Sequence, residues 1–103
     1  MNTCMLSGRL HQNAKMFENS SRVLSFVLVT SYGWDDEKKR ERISFVPCVV
    51  FNPEERLANQ LTKDGKDRYV ECEGRINRSK LPNNGGYRTE VIVKTGTLTM
   101  PKV

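Results

Sequence analysis

One short helical signal interrupts a chain otherwise patterned for β-structure, and its place in the order restricts the fold more than any other feature of the 103 residues. Residues 52–61, Asn-Pro-Glu-Glu-Arg-Leu-Ala-Asn-Gln-Leu, read as a helix of about two to three turns. Asn52 is the expected N-cap and Pro53 the first helical residue, while Glu54 and Glu55 complement the positive end of the helix dipole. Leu57 and Leu61, four apart, supply one apolar edge. Gly65 is available for a left-handed C-cap.

Strand-like runs flank the helix. Residues 3–10, 22–31 and 42–51 precede it; residues 68–80 and 87 to about 100 follow. Gly8 in the first run suits a bulge or a close backbone approach. Residues 13–21 are polar and turn-rich. The second run places Leu24, Phe26 and Leu28 on one face and Val23, Val27 and Val29 on the other. The third is apolar on both faces, Val46, Cys48 and Val50 against Ile43, Phe45, Val49 and Phe51. Such a strand is either enclosed on both sides or leaves one side open for a ligand. Pro47 predicts a bulge there, since proline has no N–H to give to a ladder. In the fourth run Val70, Cys72 and Ile76 oppose Tyr69, Glu71, Glu73 and Arg75. Pro82-Asn-Asn-Gly-Gly86 is a hairpin signal joining it to the fifth. Three strands, a short helix and a two-strand hairpin is the order of an OB-fold. The expectation is therefore an all-β, five-stranded barrel with one helix between its third and fourth strands, forming a single domain over residues 1–103.

Seventeen Lys and Arg against twelve Asp and Glu leave a net charge of +5, which favours an anionic partner. No apolar run approaches a membrane span, and the N-terminus has no signal-peptide pattern, so the expected location is the cytoplasm. Cys4, Cys48 and Cys72 are too far apart for a metal-ligand motif and read as buried, reduced thiols. His11 is the sole histidine and has no nucleophile or metal partner in sequence. Glu71 and Glu73 alternate on one strand face with no third ligand. With no phosphate-binding glycine loop or nucleophile elbow, the chain reads as a non-enzyme without cofactor or metal.

Binding chemistry is easier to find. Trp34, the only tryptophan, lies where the apolar run 22–31 gives way to the charged stretch 35–42. A large exposed ring beside cations lets bases stack while phosphates meet positive charge, at roughly 1–3 kcal/mol per stacked base. Phe45 and Phe51 share strand parity, so both rings face a ligand or both face the core. Tyr32 and Tyr87 are further aromatic candidates. Lys38, Lys39 and Arg40 are contiguous at a hairpin tip. Arg75, Arg78, Lys80 and Arg88 are expected to converge around the second hairpin with only Glu90 to offset them, and Arg9 is a plausible addition.

Taken together, Asn2 with Leu6-Ser-Gly-Arg-Leu10, the run 23–30 leading to Trp34, and the runs 45–51, 57–61, 70–74 and 87–93 resemble the bacterial-type single-stranded DNA-binding protein (SSB) family. The resemblance spans roughly residues 2–100. It implies an OB-fold homo-oligomer, dimer or tetramer, that binds single-stranded DNA in replication, repair or recombination. It places the family's stacking aromatics on Trp34, Phe45 and Phe51, and a further stacking tryptophan on Leu81, which cannot stack equivalently. Asn13-Ala14 replaces the usual Asp-Pro, predicting a differently shaped loop. Family members typically carry a flexible acidic tail that recruits replication and repair enzymes. This sequence stops at Pro101-Lys-Val103, as a DNA-binding core or a tail-less relative would. A related short family, the primosomal protein of the B type, is a tail-less OB-fold dimer that assists helicase loading, and supplies the alternative of a helicase- or primase-binding module with secondary DNA contact.

Overall fold

Even-numbered side chains point inward along most of the barrel. Leu10, Leu24, Phe26, Leu28, Cys48, Val50, Val70 and Cys72 are all buried in the computed structural model, which describes residues 1–101. Lys102 and Val103, the end of the expected domain, lie outside the described residues. The strands are β1 (Cys4–Leu10), β2 (Lys15–Glu18), β3 (Arg22–Asp35), β4 (Arg40–Phe51), β5 (Tyr69–Lys80) and β6 (Tyr87–Val93), with helix α1 (Glu55–Asp64) between β4 and β5. They form one sheet in the order β1-β5-β6-β4-β3-β2, and a β1–β3 pairing closes five of them into a barrel. The fold is thus the expected OB barrel, with the helix between its third and fourth strands. Ala58 and Leu61 of α1 join the core.

Closure depends on β1 changing partners. It pairs with β5 from Cys4 to Arg9 and then meets β3 at Arg9↔Val29 and Leu10↔Leu28. At this crossing a Cβ on Gly8 would collide with the Val29 carbonyl oxygen, so Gly8 serves a close backbone approach rather than a bulge.

Several sequence expectations shift. Residues 13–21 are not all turn. Lys15–Glu18 forms β2, antiparallel to the start of β3, because Met16 alternates inward and packs on the core. β3 runs to Asp35 rather than ending at Ser31, and only residues 36–39 turn. The helix starts at Glu55, and the residue at its N-cap position, Glu54, makes no side-chain cap. Asn52 lies two residues before the N-cap position: its N–H donates to the Arg22 carbonyl (2.8 Å), continuing the β4 ladder, and the chain turns there through φ 49°. Gly65 is right-handed (φ −87°). The helix end is instead closed by Asn13, whose Oδ1 accepts from Gly65 N (3.0 Å) and Lys66 N (2.8 Å). The fifth barrel strand stops at Val93, and Thr99 returns to bridge Glu71.

Pro47 makes no bulge; it sits in register opposite Val27. Since Asn52 and Arg22 form a hydrogen-bonded pair, strict alternation makes Val27/Pro47 a non-hydrogen-bonded one. No donor is required of Pro47 toward β3, and Val27 gives its carbonyl to His11 N–H of the β1 side at 2.8 Å. On the other edge β6 joins β4 only from Cys48. Proline occupies a register position where its missing N–H costs the β3 ladder no bond.

Cys48 and Cys72 are buried and Cys4 is half-buried, all reduced. Burial, with a smaller contribution from Cys4, pushes the Cys72 thiol up to about 11. Burial and then Cys72 raise Cys48 as well.

Candidate nucleic-acid interface

The odd-numbered residues of β3 and β4 face the outer side of the sheet and build the candidate surface, apart from Val49, which is buried there. Phe45 and Phe51 are 54% and 43% exposed, while Cys48 and Val50 are buried and Val46 packs against the core. That settles the parity question left by the sequence: the phenylalanines are outside.

Trp34 reaches the same surface by an irregularity. Its even number would place it with Leu24, Phe26 and Leu28, facing inward. The register slips between Ser31 and Gly33, leaving Tyr32 unpaired, after which Trp34 lies opposite Glu41. Glu41 alternates with Ile43 and Phe45 along β4, so Trp34 shares their face. One extra residue in a strand exchanges its two faces. Gly33, at φ 143°, supplies the backbone conformation that the slip requires. Trp34 is 55% exposed.

Along β4 the level of Trp34 lies four residues from Phe45, roughly 13 Å, and Phe51 lies six further, roughly 20 Å. The rings are separate platforms, too far apart to stack on one another. Each has cations near it. Lys38 and Arg40 line a concavity with Tyr32, Ile43 and Phe45 beside the Trp34 hairpin. Arg9 pairs with Val29, which pairs with Phe45, forming one row across the sheet. Phe51 and Arg75 line a second concavity, with Lys94 at its rim. The strand pairs Arg75↔Ile92 and Ile92↔Val49 carry the row from Arg75 to β4.

His11, which suggested nothing in sequence, packs its ring edge-on against Phe45 with centroids 5.1 Å apart. It holds Phe45 upright and is held itself by the backbone bond to Val27. Asp35 shapes the hairpin tip, its Oδ1 accepting from Glu37 N (3.0 Å) and Lys38 N (3.1 Å). Lys39 occupies the left-handed turn position at φ 53°.

The second hairpin does not gather its cations as expected. Arg78 pairs with Thr89 and Lys80 with Tyr87 on one face, whereas Arg75 pairs with Ile92 and Ser79 with Arg88 on the other. Strand parity divides the group: Arg75 joins the outer surface with Phe51, and Arg78 and Lys80 join Tyr87 on the continuation of the inward face. There the Arg78 guanidinium lies 4.6 Å over the Tyr87 ring. Arg88 is offset by Glu90 at 3.3 Å, and Arg9 donates to the Asp67 carbonyl at 3.1 Å. Lys38, Lys39, Arg40, Arg75, Arg78 and Lys80 form no ion pair among the described residues. Those charges are free to meet phosphates.

Glu73 is taken up by Lys94 (3.7 Å) and Glu71 by the Tyr69 hydroxyl (3.1 Å). Among the described residues no group of three or more His, Cys, Asp or Glu stands together as a metal site, and no helix is long and apolar enough to cross a membrane.

The outer face thus offers spaced rings with free cations between them. The single-strand binding protein family model matches residues 1–100. Among solved structures, a Plasmodium falciparum SSB in complex with ssDNA has the same fold at a TM-score of 0.73, with 22% sequence identity over 96% of this chain and 91% of that chain. The matching family is one of binding proteins, not of enzymes.

Proposed function

The chain belongs to the single-strand binding protein family, and we propose that it binds single-stranded DNA with little sequence preference, bases stacking on Trp34, Phe45 and Phe51. The carrying observation is the register slip at Tyr32, which brings Trp34 onto the face where Phe45 and Phe51 are exposed. Arg9 and Arg75 hold the backbone on that face, and Lys38, Lys39 and Arg40 reach for it from the hairpin tip. Arg78, Lys80, Tyr87 and Arg88 act where a strand passes over the second hairpin. Every base has a π-face, so stacking tolerates any sequence. Such binding serves DNA replication, repair or recombination in the cytoplasm.

The working unit is a homo-oligomer, dimer or tetramer. Supporting this, β1 has an edge unpaired from Cys4 to Gly8 among the described residues, with Met5 82% exposed beside it. Sedimentation equilibrium reads the state directly.

Trp34 fluorescence tests the DNA reading. Oligo-dT quenches it strongly at low salt, and duplex of equal length far less. Absence of both quenching and gel retardation at low salt would overturn the proposal. Leu81 at the family's further stacking position favours a second reading, a primosomal protein B-like module that binds helicase or primase with DNA contact secondary. Weak oligo-dT binding alongside tight helicase binding would establish it.

A further inference from the structure

We propose that Phe17, with Lys15 beside it, is a further aromatic contact for single-stranded DNA, extending the path sideways past Phe51 onto β2. The inference rests on the DNA-binding reading above.

Three residues form one row across the sheet: Phe17 pairs with Val23, and Val23 pairs with Phe51. Directly paired residues share a face, so all three lie on the outer surface. Phe17 is 53% exposed. Its neighbour in β2, Met16, points the other way into the core. The fold therefore uses Met16 for burial and leaves Phe17 free. Two strand spacings separate Phe17 from Phe51, roughly 10 Å. That is closer than any two of the other platforms lie along β4.

A singly exposed phenylalanine on a surface is ordinary. This one is continuous with the candidate interface and sits on a sheet edge, where short charged strands normally discourage pairing. The charges around it favour a polyanion. Lys15, opposite Ser25, projects on the same face two residues away, is exposed and forms no ion pair among the described residues. Glu18, the acidic residue of β2, is engaged by Arg22 at 3.4 Å. An aromatic ring beside a free lysine, aligned with Phe51, repeats the pattern seen at Trp34 and Phe45.

The test uses a fluorescent reporter at the site. A Phe17→Trp, Trp34→Phe double variant carries its only indole at position 17. Oligo-dT binding is followed in parallel by anisotropy of a dye on the oligonucleotide. The expected result is quenching of the indole that saturates with the anisotropy. Phe17→Ala should weaken binding of a long oligo-dT roughly 5- to 150-fold, the loss of one stacked base. An indole that stays unquenched while anisotropy shows bound oligonucleotide would overturn the proposal and leave the DNA reading intact. A change in indole emission with protein concentration alone would also overturn it, because a second copy would then cover Phe17. If the parent protein gives no anisotropy change at low salt, the general reading fails first.

Discussion

Replacing Trp34 with alanine separates a binding role for the ring from a structural one. Trp34 is 55% exposed, so less than half of its surface leaves water on folding. Full burial of a large apolar side chain is worth about 1.5–3 kcal/mol, so the fold should lose about 1 kcal/mol, a fall in Tm of about 4–8 °C. The loss of a stacking platform is larger, about 1–3 kcal/mol per base. That corresponds to an affinity for oligo-dT weaker by about 5- to 150-fold at fixed salt. No charge is removed, so the slope of log affinity against log salt should match the parent's. Because the variant lacks the indole, binding is measured by anisotropy of a labelled oligonucleotide at several salt concentrations, with Tm from circular dichroism. Trp34→Phe keeps a smaller ring and should fall between the two. Affinity within about twofold of the parent would remove Trp34 from the interface. A collapse in Tm accompanying the lost affinity would show that the ring braces the hairpin instead.

Other perturbations probe the rest. Lys38→Gln with Arg40→Gln should lower the salt slope by about 1.4, two phosphates at about 0.7 each, with Tm unchanged; an unaltered slope would place the hairpin tip away from the backbone. Phe26, 4% exposed in the barrel core, should cost about 3–5 kcal/mol when replaced by alanine, read from urea unfolding, and a cost under about 1 kcal/mol would contradict the inward assignment of even-numbered β3 residues. Both buried thiols have raised folded pKa values, Cys72 to about 11 from 9.0. Unfolded chains therefore lose these protons first. Stability should be intact below pH 9 and decline as pH rises through 9 towards 11, and Cys72→Ala should flatten that decline in urea midpoints. A midpoint independent of pH over this range would show that the thiols ionise equally in both states.

Much of this was legible from periodicity. The even-numbered apolar residues of β3, β4 and β5 announce one inward face each, and the helix and the Pro82–Gly86 turn order the elements. What the sequence hid was register. Trp34's face depends on an unpaired Tyr32, and a bulge is visible only when two strands are laid side by side. Pro47 suggested a bulge because a proline's tolerance depends on which way its nitrogen points, which the partner strand decides. Asn52 suited an N-cap chemically, but the β4 ladder extends to it through Arg22 and the helix begins only at Glu55. β2 was hidden by length: in four residues flanked by turn formers, a single inward Met16 gives no period. The cations of the second hairpin were expected as one cluster, and the pairing divides them, since Arg75 and Arg88 lie on the opposite strand face from Arg78 and Lys80.

β1's change of partner at Arg9 has a mechanical consequence. The barrel is fastened along its β1–β3 side by the pairs Arg9↔Val29 and Leu10↔Leu28 and by the bond from His11 to Val27. The β4–β6 seam is comparably short, with three pairs, so these two sides are where the cylinder would open under load or thermal agitation. Phe45 stands on one side of the β1–β3 clasp, with His11 and Arg9 on the other. On the proposed DNA path, a polymer laid across those three residues would act as a strap over the clasp, coupling occupancy to barrel closure.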